Sequence, residues 1–175
     1  MLDPKVYVCL ARLEDLVADF LHELSIKVED KWVALTLDHI SRESRNHAQL
    51  LKDMCRAAGI NERVDDEQCK SFIGEIGYEA IFHYKDIIAR LRGGWTPGRE
   101  ELIEILREEL NVEKMAGEEA YMKIVAGVMP AICEERLVIM LFKELSAEEE
   151  HHSSLLKAII RKLEESVSEK SVQKV

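Results

Sequence analysis

The chain has 175 residues, 47% of them hydrophobic and 33% charged, and carries a net charge of −10. That length suits one domain with a sizeable core, and the acidic balance excludes a nucleic-acid partner, which would need clustered Lys and Arg. Three prolines and eight glycines leave long uninterrupted stretches, so the composition reads as strongly helical.

Taken in order, the first helix is expected over about residues 4–28, on the stripe Val6, Leu10, Leu13, Val17, Leu21 and Leu24. Glu14 sits beside that stripe and points inward. Glu29-Asp30-Lys31 is a polar joint, short enough to make the next helix, about 32–58, an antiparallel neighbour. Gly59 suits its C-terminal cap. A third helix is expected over 68–92, with Phe72, Ile76, Ala80, Tyr84, Ile87 and Leu91 as its core face, ended by Gly93-Gly94. Thr96 then reads as an N-cap with Pro97 at the first helical position. A fourth helix follows over 97–126, and Gly127 with Pro130 turns the chain into a fifth over 131–163. The tail, 164–175, has little apolar content and is expected to fray. The fold class is therefore all-α, a single domain over 1–175. Two antiparallel hairpins form a four-helix bundle, joined by a long helical crossover.

Cys9, Cys55, Cys69 and Cys133 are scattered with no C-x-x-C pair. They read as small core residues of a reducing compartment rather than as a zinc or rubredoxin-type site. Met-Leu-Asp-Pro-Lys starts the chain without a signal-peptide core. No basic amphipathic run marks a membrane surface, and the longest apolar run, 124–133, is too short to span a bilayer. The expectation is a cytoplasmic protein with no membrane partner.

The chemistry concentrates in Glu148-Glu149-Glu150-His151-His152, where acids and histidines meet the apolar face of Leu155, Leu156 and Ile159. Residues three and four apart share a helix face, so a carboxylate and an imidazole fall on the stripe that should be buried. Buried charge is costly unless paired or metal-bound. The pattern repeats: Glu43-x-x-x-His47 followed by Leu50-Leu51 echoes Glu148-x-x-x-His152 followed by Leu155-Leu156. Counted back from the hairpin joints at the rise of an α-helix, Glu14 and Glu43 lie at one height. Glu113 and Glu148–Glu149 agree to within about a turn. Glu14, Glu43, His47, Glu113, Glu149 and His152 can thus meet in one core layer as a two-metal site. Glu148, His151 and Glu109 are second candidates. His151 looks toward the rim, and Glu109 reads first as part of the charged face with Glu104, Arg107 and Glu108 and only second as a ligand. His39 lies two turns before His47, either behind a ligand or at the core edge. His22 and His83 read as structural. Tyr84 and Tyr121 are neighbours of a metal pair or ordinary core tyrosines.

These four short motifs, Glu14 with Ala18, Glu43…His47-Ala48, Glu113-x-x-Ala116 with nearby Tyr121, and Glu149-Glu150-His151-His152, resemble the ferritin-like superfamily, nearest its rubrerythrin-like branch. The resemblance covers roughly residues 5–58 and 97–163. It implies a di-iron carboxylate centre that reacts with dioxygen or hydrogen peroxide, in a chain that forms a homo-oligomer. Glu14 and Glu113 match the family's acids, and Glu149/His152, or one step back Glu148/His151, its Glu-x-x-His. On the second bundle helix the family's glutamate is replaced by Ser44, with Glu43 the nearest substitute, so one or two ions are expected, iron or manganese. The lack of C-x-x-C removes the rubredoxin-type electron relay. A metal-free helical bundle serving as an interaction module is the competing reading, its core acids then pairing with Arg12, Arg42, Arg45 or Lys114.

Overall fold

Apolar stripes spaced three and four apart become buried helix faces. A computed structural model describes residues 5–57, 59, 64–114 and 136–172, the side chains of 136, 138 and 166–172 excepted. Within them run α1 (Lys5–Lys27), α2 (Lys31–Ala57), α3 (Asp66–Arg92), α4 (Arg99–Val112) and α5 (Arg136–Val172), with no strand among the described residues. Asp30 starts α2 by accepting hydrogen bonds from the Trp32 and Val33 amides at 2.9 and 3.1 Å.

Cross-links show the directions. Asp15–Lys52 (2.5 Å), Asp19–Arg45 (2.6 Å) and the Ser41 hydroxyl donating to the Ala18 carbonyl (2.7 Å) step oppositely along α1 and α2. The two helices are an antiparallel hairpin. Arg107–Glu164 and Glu113–His152 do the same for α4 and α5. The crossover α3 runs alongside α1, from Cys69 at Cys9, through Tyr84 stacked on Phe20 with ring centres 5.4 Å apart, to Arg92 at Glu23. Phe20, Leu21, Leu24, Leu37, Ile40, Leu51, Ile81, Leu91, Leu106 and Leu156 are fully buried between them, each contributing roughly 1.5–3 kcal/mol.

Four sequence expectations need correction. α3 begins at Asp66 and not Gln68, because Asp65 and Gln68 form a reciprocal capping box. It is interrupted at Gly74, whose φ of 75° and ψ of 179° belong to a region only glycine occupies freely. The break shifts the helix face, so Ile76, expected in the core, is 43% exposed, while Ile81 and Ile88 turn inward. α4 starts at Arg99, two residues later than Thr96-Pro97 predicts. Gly98 takes the extended cap position, its amide donating to the Glu101 carboxylate at 2.8 Å. α5 does not stop near 163 but continues to Val172. The expected elements and residues within 115–135, among them Ala116, Tyr121 and Cys133, lie outside the described residues.

The fourth correction concerns cysteine. Cys55 is buried and free, but Cys9 and Cys69 form a disulfide that closes a separation of 60 residues. It ties α1 to the first part of α3, ahead of the Gly74 break. Spacing alone does not reveal such a pairing. Replacing both partners with serine is expected to cost about 2–4 kcal/mol by freeing the unfolded chain. The check is a lowered midpoint in urea unfolding. An unchanged midpoint would show that the pair does not stay bonded in solution.

Candidate metal centre

Each site residue sits on the helical stripe that packs inward. α1 contributes Glu14, α2 His47 and Ser44, α4 Glu109 with Glu113 at its C-terminal cap, and α5 Glu149 and His152, all buried. At Glu113 and Lys114 the backbone widens from α to π geometry, a local departure that recurs at functional sites. Because α1–α2, α4–α5 and α2–α5 run antiparallel and cross at one height, side chains far apart in sequence meet in one layer.

Among the described residues two donor groups result. Glu14, His47 and Glu149 bring ligand atoms within 4.8 Å of one another, and Glu113, Glu149 and His152 do likewise. Glu149 belongs to both. The imidazoles stack with ring centres 5.5 Å apart at 26°, and both turn Nδ1 toward the acids. His47 Nδ1 stands 2.8 Å from Glu149 Oε1 and 3.7 Å from Glu14 Oε2. His152 Nδ1 stands 3.7 Å from Glu149 Oε1 and 4.0 Å from Glu113 Oε1.

The outer nitrogens are held by rim carboxylates. His47 Nε2 donates to Glu148 Oε2 at 2.8 Å, and His152 Nε2 donates to Glu43 Oε2 at 3.0 Å. A carboxylate can only accept, so each bond places the ring proton on Nε2 and leaves the Nδ1 lone pair facing the core. Glu43 therefore does not lie among the core donors as the sequence suggested; it sits behind His152, where His39 also reaches it at 3.2 Å. Glu148 plays the same part for His47. The repeat is reciprocal: each Glu-x-x-x-His segment supplies the acid that orients the other segment's histidine. His151 is exposed at the rim. His22 and His83 face Asp38 and Glu108 at the surface.

His47 Nδ1 and Glu149 Oε1 approach to 2.8 Å without hydrogen-bond alignment, and both are without such a bond, as are Glu113 Oε2 and His152 Nδ1. Two electron-rich atoms that close need a cation or a proton between them. Ligands roughly 2 Å from a shared ion stand about 3 Å apart, the spacing of His47 Nδ1 and Glu149 Oε1, and the other donor pairs stand at 3.7–4.0 Å. Buried oxygen and imidazole nitrogen, oriented from behind and unsatisfied in front, fit a transition-metal ion. The arginines that would otherwise neutralise the acids are engaged elsewhere: Arg12 with Asp66, Arg42 with Asp38, Arg45 with Asp19.

Protonation reflects the same strain. Burial, then the charge of the neighbouring glutamates, pushes Glu113 and Glu149 well above the usual carboxylate range. For His47 burial works downward, but Glu14 and Glu148 outweigh it and the net shift is up. For His152 burial and the charge of His47 win, and the shift is down.

Beside the pair lies a cavity of about 20 Å³ lined by Leu13, Glu14, Val17, Glu109, Val112, Glu113 and Glu149, room for one water-sized ligand. Tyr84, from the crossover, donates to Glu109 Oε2 at 2.6 Å. The sequence hides Glu109 inside the acidic run Glu108-Glu109; its one signal is its place a helical turn before Glu113. Among the described residues, no helix is long and apolar enough to cross a membrane. No protein-family model, curated protein or solved structure is detectably similar to this chain.

Proposed function

We propose that the chain is a ferritin-like protein of the rubrerythrin-like kind, holding two iron or manganese ions and reacting with dioxygen or hydrogen peroxide. The observation that carries this is the shared carboxylate: Glu149 completes two donor groups, each with its own histidine and its own second glutamate. That is the bundle arrangement of a two-metal carboxylate centre, and mixed carboxylate and imidazole donors suit iron and manganese. The helix directions support the same reading, since the hairpins α1–α2 and α4–α5 are joined by α3 running the length of α1.

A bound metal pair would supply the redox change that reduces the oxidant. This chain's residues do the rest. His47 and His152 would bind through Nδ1, each held in register by a proton on Nε2 donated to Glu148 or Glu43. Glu14 and Glu113 would each serve one half, and Glu149, which belongs to both donor groups, would serve both. Leu13, Val17 and Val112 keep the cavity narrow and largely apolar between the acids, which admits a diatomic or water-sized molecule and excludes larger reductants.

The test is equilibrium metal binding to chain prepared in chelator and titrated anaerobically with ferrous or manganous ion. Two ions per chain are expected, matching the two donor groups, followed by ferrous oxidation on adding peroxide. Absence of tight binding by either metal would overturn the proposal and leave the interaction module.

A further inference from the structure

The reciprocal pairing of His47 with Glu148 and of His152 with Glu43 gives the site a local two-fold, in which α1 matches α4 and α2 matches α5. Glu14 and Glu113 are then mates, and so are the two histidines. Two positions break the symmetry. Ser44, three residues before His47, stands where its mate is Glu149, three residues before His152. Glu109, four residues before Glu113, stands where its mate is Leu10, four residues before Glu14. One carboxylate is missing from α2 and one has been added on α4.

Both departures leave buried polar atoms without a hydrogen bond. Ser44 Oγ has none, and neither has Glu109 Oε1, although both side chains are buried, to 1% and 2% exposure. Ser44 offers a neutral hydroxyl. Glu14, Glu113 and Glu149 then set three negative charges against the four positive charges of two divalent ions, in a dry layer where unbalanced charge is costly. Glu109 lines the same small cavity as these three acids. Its Oε2 is occupied by the Tyr84 hydroxyl, and Tyr84 is itself fixed by full burial and by stacking on Phe20. A tyrosine–glutamate pair with only a packing role would not need a second buried oxygen left unbonded on a side chain that lines the cavity.

We propose that Glu109 is the fourth carboxylate of the metal centre, supplying through Oε1 the charge that Ser44 does not, and that Tyr84 positions it by holding Oε2. The inference rests on the two-metal reading above. Glu109 compensates in charge rather than in place, because it approaches from α4, across the layer from Ser44 on α2.

The experiment compares wild type, Glu109→Gln, Tyr84→Phe, and Glu109→Gln combined with Ser44→Glu. Each is titrated with cobaltous ion, followed by the metal's visible absorption and by metal content after dialysis. Glutamine preserves the shape and the oxygen that accepts from Tyr84, so circular dichroism of Glu109→Gln should match wild type. Glu109→Gln is expected to weaken the second ion about tenfold or more, leaving the first close to wild type. Tyr84→Phe should weaken the same ion less, and alter its absorption, whereas general loosening of the fold would weaken both ions alike. Adding Ser44→Glu to Glu109→Gln should recover the second ion. Wild-type affinity in Glu109→Gln overturns the assignment, and so does a loss that Ser44→Glu cannot restore. A wild-type chain that takes up no metal sinks the two-metal reading itself, which separates that failure from this one.

Discussion

Glu149→Gln is expected to strip both metal ions from the protein at once. The carboxyl is the only group that belongs to both donor triads, so neutralising it removes one anionic oxygen from each half. In a buried layer a divalent ion needs anionic donors, and an imidazole with a single carboxylate does not offset its charge. Glu113→Gln, by contrast, touches only the His152 half and should leave an ion held by Glu14, His47 and Glu149. The glutamines keep the side-chain volume, so neither change opens a cavity. Metal content after dialysis against a chelator-free buffer, with wild type and Glu113→Gln in parallel, separates the cases. Retention of one ion by Glu149→Gln would show that the halves are independent and that Glu149 does not span them.

The metal-free and metal-loaded proteins are expected to respond to pH in opposite directions. Without metal, burial and then neighbouring carboxylate charge hold Glu109, Glu113 and Glu149 protonated well above the ordinary value of 4.5. The unfolded chain gives up those protons near 4.5, so above that value the folded state binds more protons than the unfolded one. Stability therefore falls as pH rises from about 5 toward 8. His47, shifted up, adds to the fall above 6.5, while His152, shifted down, opposes it only below 6.5. With metal bound the same carboxylates must be ionised and the histidines must have a free Nδ1, so affinity rises with pH and stability follows it. Thermal melts in chelator and in saturating manganese, from about pH 5 to about pH 8, should cross in slope. A metal-free protein that gains stability across that range would mean the core acids are ionised and paired, contrary to the unsatisfied oxygens seen here.

A helix's periodicity is local, and what depends on it was readable in advance. The stripes Leu10–Leu24 on α1 and Leu155–Ile159 on α5 fall where the apolar spacing puts them. The constant rise per residue also allowed Glu14, Glu43, His47, Glu113, Glu149 and His152 to be placed at about one height before any packing was known. The apolar face ahead of it favoured His152 over His151, while the Glu-x-x-His spacing left Glu149/His152 and Glu148/His151 both open.

Contacts between helices were not readable, because they depend on how faces rotate against one another. Positions 43 and 44 differ by only about 100° around the axis. The crossing of α2 with α5 turns Glu43 onto the outer nitrogen of His152 and leaves Ser44 buried with an unbonded hydroxyl. The same crossing makes Glu148 the support of His47 rather than a core donor. Gly74 looked like one residue of a continuous helix, and only its positive φ moves Ile76 outward. The Cys9–Cys69 bond joins residues whose spacing carries no pairing information. Glu109 reads in sequence as one more acid on a charged helix. Only the fold shows that α3 brings Tyr84 to one of its oxygens and that its side chain lines the same small cavity as Glu14, Glu113 and Glu149. Amino-acid spacing determined which residues could face the core and at what level. Tertiary packing decided which atoms meet there, because a helix sets the order of side chains along its surface but not the partner each one finds.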